Sequence, residues 1–587
     1  MRLPAILPWR SGVVKLVVQN AQRHILRQKF LSVSRGEKER ALQAEYSDCA
    51  RLGTVTTAFA ARLSSVFQSS PLRHAPFRLF YFGSVATALG YTMQATVAAW
   101  LMATLTPSPL MVALVQTAST APALLFGLLA GTLADIVHRR KIIGATQVVL
   151  LIATAMLGGA TLAAIIGPGA LLALTFLVGV GFTFYMPAQQ ASINELVSRA
   201  DLPRAVALSA VAFNVARALG PALAGAIAAW LGSGSAFLAS GLFFILMIVA
   251  VRGWKHRESA LPGLPETLLS GVQSGLRFAR HSAPMRSLII RNLSFCVCAS
   301  ALWALLPVIA RDQLGLGAGG YGLLSAGFGI GAVVGALAIP GQLQRRSLNA
   351  IVTSGVILWI FAALLISASR YPAVALVGTC GAGVAWVSVL ASLSAGTQST
   401  APAWVRARSV SMNLIATQAS LALGSALWGA LAAGTGTRIA LAASAGFMAV
   451  LYALNRRVRV EMGTEADVTP RPQLPDLAIA VEPLPDDGPV LIQLEYRIDP
   501  EHREAFLRDI QAVEPMRRRN GAARWRVYRD LSEEGRFVER FVIASWAEYV
   551  RLRTRMTMAD RRHEERVEQL QRPGVPIRVL RLIGVRR

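Results

Sequence analysis

Apolar residues run for about twenty positions at a time, twelve times over, between Pro76 and Asn455. A hydrocarbon layer of roughly 30 Å takes about 20 helical residues to cross, and within it only helices or closed barrels satisfy their own backbone hydrogen bonds. Barrel strands would alternate polar and apolar residues, and these runs do not. The pattern predicts an all-α polytopic membrane protein with twelve spans. They lie at about residues 79–103, 110–133, 142–165, 170–193, 206–231, 235–252, 289–310, 320–341, 349–368, 373–396, 408–432 and 437–455.

The connections alternate in charge. One set holds Arg139-Arg140-Lys141, Arg199 with Arg204, a basic stretch from Arg252 to Arg291, Arg345-Arg346, and Arg406 with Arg408. In the other set, residues 104–109, 167–169 and 231–234 have no Lys or Arg, and the rest carry only Arg311, Arg370 and Arg438. The positive-inside bias puts the first set, and both chain ends with it, in the cytoplasm. The long connection after Arg252 divides the spans into two groups of six. Gly127–Lys141 is echoed by Gly331–Arg346, and Glu195–Ser209 by Thr400–Ser411, as in internally repeated transporters.

The net charge of +27 belongs largely to these loops: residues 77–458 hold 23 Lys/Arg against 6 Asp/Glu. Basic loops beside a bilayer meet anionic lipid, so the lipid bilayer is the expected partner and nucleic acid is not required. Residues 1–76 read as a basic cytoplasmic extension with little persistent order, in which Gly12–Ser34 could form a surface-lying amphipathic helix. Residues 77–253 and 289–458 form the two bundles, joined by a central cytoplasmic loop at 254–288.

A Pro- and acid-rich linker follows at 459–489, its Gly463–Pro489 stretch flexible and partly extended. Residues 490–587 then alternate between strand and helix periodicities: Val490–Ile498, Pro500–Arg519, Ala523–Asp530, Arg536–Ala544, Trp546–Gln571 and Ile577–Ile583. That βαββαβ order predicts an α+β ferredoxin-like domain.

The polar residues that interrupt the spans carry the candidate chemistry. Span five holds Asn214 and Arg217 ahead of Gly220-Pro221 and Gly225. A central Arg costs about 2.5–3.5 kcal/mol to insert, so Arg217 should face the bundle interior, water or an anion. Pro221 frees a backbone carbonyl, and Gly220 and Gly225 admit close neighbours. Gln94, Gln116, Asn292, Asn413 and Gln418 could line a central cavity or bond between helices. No span has a central Asp or Glu, which leaves Glu195 and Asp312, both near span ends, as nominees for ion coupling. Cys49, Cys296, Cys298 and Cys380 lack the His or acidic neighbours of a metal site and read as packing residues. No metal and no cofactor are expected.

The segment Gly131-Thr-Leu-Ala-Asp135-Ile-Val-His138-Arg139-Arg140-Lys141 resembles the loop signature between spans two and three of the major facilitator superfamily. Ile136 and His138 depart from that pattern. The resemblance implies close helix packing at Gly131 and a state-dependent contact between Asp135 and basic residues that gates the cytoplasmic side. The Asn214–Gly225 run resembles the superfamily branch of the enterobactin exporter, which implies efflux of a siderophore-like or drug-like molecule across a bacterial inner membrane. No Gly-x-x-x-x-Gly-Lys-Ser/Thr motif is present for a built-in ATPase. The segments Leu494–Asp499, Arg524–Asp530 and Val538–Trp546 resemble antibiotic-biosynthesis-monooxygenase domains, which implies that residues 490–587 could self-associate. A rival reading, a membrane-anchored oxygenase or ligand sensor acting through this tail, would place a pocket at His502, His563, Trp525 and Trp546.

Overall fold

The computed structural model describes residues 71–198, 201–252, 268–471, 479 and 481–584. Residues 1–73 form a unit of their own, of which a single turn of 3-10 helix, Pro71–Arg73, is described. The surface helix expected at Gly12–Ser34, together with Cys49 and Arg199, lies outside the described residues.

From His74 onward the chain is first a stack of long helices. Five form an N-terminal group: α1 (Ala75–Leu105), α2 (Pro109–Ile136), α3 (Arg139–Leu162), α4 (Pro168–Leu196) and α5 (Leu202–Arg252). Proline within the first two positions opens α1, α2 and α4, where its missing N–H has no intrahelical partner to lose. Gly232, at φ +83°, breaks the 51-residue α5 into two arms, a backbone conformation that side-chain-bearing residues rarely adopt. Helix α1 packs against both: Gly90 meets Ser240 and Phe244 of the second arm, while Thr92 meets Gly220 of the first.

After a short amphipathic helix, α6 (Leu268–His281), the second group follows as α7 (Ala283–Val308), α8 (Ala318–Arg345), α9 (Leu348–Ala368), α10 (Pro372–Thr400), α11 (Arg406–Thr435) and α12 (Thr437–Leu454). Ten helical stretches among the described residues are long and apolar enough to cross a membrane. One of them is the continuous Ala212–Arg252 stretch of α5. Helix α1, diluted by Ser84, Thr87, Tyr91, Thr92, Gln94 and Thr96, is not among the ten. Each group has its own core. Met93, Leu150, Leu157, Phe237 and Phe244 centre the first, and Phe295, Trp359, Trp386 and Trp428 the second. Their outer faces expose large apolar side chains such as Leu125, Leu246, Leu337 and Phe361, a surface suited to lipid and not to water.

The two groups meet along two seams. On one, Gly225 and Gly322 face each other so closely that a Cβ at either would lie 2.8 Å from the other's Cα, and Gly329 sits against the backbone of Ala218. On the other, Gly429 lies against Ala113 and Leu110, and Thr117 Oγ1 donates to the Ala422 carbonyl at 2.8 Å. Both seams run inward from the end that carries Pro109, Leu231 and Ala318.

Beyond α12 a one-turn helix, α13 (Glu465–Val468), leads to β1 (Val490–Arg497), α14 (Arg503–Asn520), β2 (Ala523–Arg529), β3 (Arg536–Ile543), α15 (Trp546–Arg555), α16 (Met558–Gln569) and β4 (Arg578–Ile583). The sheet order is β2-β3-β1-β4 and every pairing is antiparallel. Phe506, Phe537, Phe541, Trp525 and Trp546 fill the space between sheet and helices.

The central connection contains α6, and two expectations need correction. The helix predicted at Trp546–Gln571 is two, because the backbone turns extended at Met556 and Thr557 restarts it with a capping box to Asp560. The described parts of the Pro- and acid-rich connection are held in place: Gly463 packs on Ser399, Thr464 and Asp467 cap α13, and Arg471 N–H donates to the Met556 carbonyl. Composition favours disorder there, but it cannot register partners so far away in sequence.

Candidate functional site

Arg217 stands on the first arm of α5 beside the closest approach of the two helix groups. Its Cζ lies 5.4 Å from the Trp303 ring, 5.7 Å from Phe328 and 5.7 Å from Trp386. Those rings come from α7, α8 and α10, so a cation of the N-terminal group is enclosed by aromatic faces of the C-terminal one. Trp303 meets Phe328 edge to face at 4.4 Å and Trp386 at 5.9 Å, which fixes the three rings against one another. Each ring offers the guanidinium about 0.5–2 kcal/mol. Among the described residues Arg217 has no hydrogen bond and no ion pair, and the buried indole N–H of Trp303 is also unpaired. Sequence alone singled out Arg217 but gave no sign of the rings, each of which reads as an ordinary apolar position in its own span.

The other candidates divide. Asn292 donates to Asn413 Oδ1 at 2.8 Å and to Thr417 Oγ1 at 2.8 Å, so Asn292 and Asn413 tie α7 to α11. Gln94 is buried on α1 with its side-chain nitrogen unpaired. Gln116 lies half-buried on α2, Gln418 on α11 and Asn214 one turn before Arg217 on α5. Pro221 and Gly225 carry the seam with α8, and Gly220 packs on Thr92.

At the opposite end of α2, a Cβ at Gly131 would meet nothing within 4 Å, so this arrangement makes no use of close packing there. The Asp135 side chain lies outside the described part of α2. Arg139 donates to Glu195 Oε1 at 2.5 Å and to the Ala191 carbonyl at 3.1 Å, fastening α3 to α4. Arg140 donates to the Arg252 carbonyl at 2.9 Å, and Lys141 follows it in the first turn of α3. Asp312 sits on the π-turn after α7, exposed and paired with its neighbour Arg311. Neither Glu195 nor Asp312 lies near the Arg217 level.

The family described as transmembrane secretion effector, of major facilitator type, matches residues 66–587. The chain belongs to that family. It is similar to the multidrug efflux pump Tap of Mycolicibacterium fortuitum, with 27% identity over 312 residues that cover 50% of this chain and 74% of Tap. The fold is shared with a bacterial homologue of the human lysosomal transporter Spinster, solved inward-facing and unoccupied. There the identity is 15% and the TM-score 0.56, over 67% of this chain and 98% of that one. It is also shared with the nucleoside transporter NupG, at 14% identity and TM-score 0.53, over 65% and 98%. A member of this family is a membrane transporter and not an enzyme.

The C-terminal module of this secretion-effector-family chain carries a second polar cluster. Glu539, fully buried, accepts from Arg517 Nε at 3.1 Å, Trp525 Nε1 at 2.9 Å and the Tyr496 hydroxyl at 2.9 Å. Arg517 also donates to Glu564 at 2.7 Å. Burial and the Glu539 charge push the Tyr496 hydroxyl well above its ordinary value. Burial works against the Arg517 charge, but Glu539 and Glu564 outweigh it and raise the group. Every partner is internal, so the cluster reads as a core network. His502 lies exposed beside Glu501, and His563 contacts Arg566, whereas Trp525 and Trp546 are buried. The four do not form the pocket that an oxygenase reading would place there.

The module also touches the membrane part. Arg555 lies 4.4 Å over the Trp404 ring, Arg519 lies 5.7 Å over Phe278 of α6, and Arg277 of α6 reaches Glu548 at 3.8 Å. Phe278 and Trp404 meet edge to face at 5.9 Å. Burial, then Arg518 and Arg280, hold the His281 imidazole below its ordinary value. No sequence feature marked this contact, although the spacing of Leu268, Leu269, Val272, Leu276 and Ala279 carries a helical apolar stripe that could have revealed α6.

Proposed function

We propose that this chain exports a small molecule across a bacterial inner membrane by alternating access of two six-span groups. Counting α1 and the two arms of α5 separately gives twelve spans, and the positive-inside bias places both termini in the cytoplasm. The observation that carries the reading is the position of Arg217, which belongs to one group and is enclosed by rings of the other. Contacts between groups that must exchange partners are what alternating access requires. The seams at the Pro109 and Leu231 end support an arrangement closed there. The likeness to Tap, named a multidrug efflux pump, supports export over uptake.

In this reading Arg217 and Asn214 face the cargo path, with Gln94, Gln116, Asn413 and Gln418 as secondary candidates. Gly131, Asp135, Arg139, Arg140 and Lys141 form the cytoplasmic gate, and Glu195 and Asp312 are the coupling nominees. Residues 490–587 are a ferredoxin-like module of the strand order seen here, available for self-association. The test is flux. Proteoliposomes under an imposed proton gradient are given naphthoate, naphthamide and ethidium, and gradient-dependent movement of at least one, abolished by an ionophore, is expected. No movement of any of the three would refute export.

A further inference from the structure

We infer that the cargo site at Arg217 takes an organic anion with a planar aromatic body, a conclusion that rests on the transporter reading above. The argument begins with charge. Of the six acids between residues 77 and 458, the four whose backbone is described, Asp135, Glu195, Asp201 and Asp312, sit at helix ends away from the Arg217 level, and Glu258 and Glu266 fall in the sequence between the two groups. A guanidinium stays protonated in proteins and brings five N–H donors. Withdrawing an ion from water is unfavourable unless a counter-charge and hydrogen bonds replace the water.

The three rings around Arg217 supply part of that compensation through their faces, but a ring face is a poor substitute for oxygen acceptors. The unpaired indole N–H of Trp303 adds a further donor to the same cluster. Donors are therefore in excess and acceptors lacking, while the walls are aromatic. A carboxylate or sulfonate supplies the missing acceptors in the fork geometry a guanidinium matches, and a flat ring on the same molecule can stack among Trp303, Phe328 and Trp386.

The two halves of this receptor ride on different helix groups. Arg217 moves with α5, next to the Ala218–Gly329 contact, and the rings move with α7, α8 and α10. Parting the seam separates charge from rings, so the site is assembled in one arrangement and dismantled in the other. A ligand bound to both halves would thereby differ in affinity between arrangements, which is the property that lets binding bias the equilibrium.

Equilibrium dialysis on the purified full-length protein in nanodiscs tests this with naphthoate and its neutral counterpart naphthamide. Wild type should bind naphthoate at least about thirtyfold more tightly, as expected when a half-buried charge gains its partner. Arg217→Gln should abolish that preference, and Arg217→Lys should keep part of it. Trp303→Phe, which retains a ring but loses the N–H, should weaken naphthoate about fivefold. Gel filtration of each variant separates loss of binding from loss of fold.

Equal binding of the two compounds by wild type, no measurable naphthoate binding, or an unchanged preference in Arg217→Gln would overturn the inference. Gradient-driven movement of ethidium alone would leave export standing and count against the anion site. Anion preference without gradient-driven movement of any compound would support the site and sink the export reading instead.

Discussion

Replacing Gly322 with alanine tests whether the α5–α8 seam sets the balance between arrangements. The new Cβ would lie 2.7 Å from the Pro221 carbonyl oxygen and 2.8 Å from Gly225 Cα, both backbone atoms that no side-chain rotation can move. Carbon atoms rest about 3.5–4.0 Å apart, so the helices would have to separate by roughly 0.7–1.2 Å. Overpacking of this kind typically costs about 1–3 kcal/mol. The gain in helix propensity from alanine, about 1 kcal/mol, applies in both arrangements and cancels from their ratio. The seam-closed population should therefore fall about 5- to 150-fold relative to the other. Spin labels at Leu231→Cys and Asp312→Cys, exposed positions near this end, report the change by double electron–electron resonance in a chain whose native cysteines are serine. A longer inter-label distance should grow in Gly322→Ala and not in Gly131→Ala, where a Cβ meets nothing within 4 Å. A folded Gly322→Ala protein with the wild-type distance distribution would refute the reasoning.

Other outcomes follow from the remaining contacts. Glu539→Gln should destabilise the C-terminal module by about 3 kcal/mol, since it strips a buried charge from Arg517, and near-ultraviolet circular dichroism during heating of the full chain would register the earlier transition. Trp404→Ala removes the ring under Arg555 and should raise the rate of tryptic cleavage after Arg459 about tenfold as the module loosens; an unchanged rate would mean that Trp404 does not hold it. For the Arg139–Glu195 pair, Glu195→Gln should reduce transport, and the exchange Arg139→Glu with Glu195→Arg should restore part of it, whereas a coupling role for Glu195 predicts no rescue.

The sequence by itself determined that this is a membrane protein of long apolar helices, because the bilayer imposes its demands residue by residue and no contact need be known to read them. It likewise marked Arg217, since a charge within an apolar run is visible without a fold, and it placed the strands of the tail through their alternation. Tertiary structure alone decided what surrounds these features. The rings of Trp303, Phe328 and Trp386 come from three different helices, and each is unremarkable in its own run. Arg139 has a partner in Glu195, more than fifty residues away, that no local pattern could show. Gly225 and Gly322 gain their meaning only when two helices from opposite groups are laid together. The tail's seat on α6 and Trp404 depends on the same kind of juxtaposition. Local patterns record what each residue requires of its solvent, whereas a site is made of residues that the folded chain brings together from far apart.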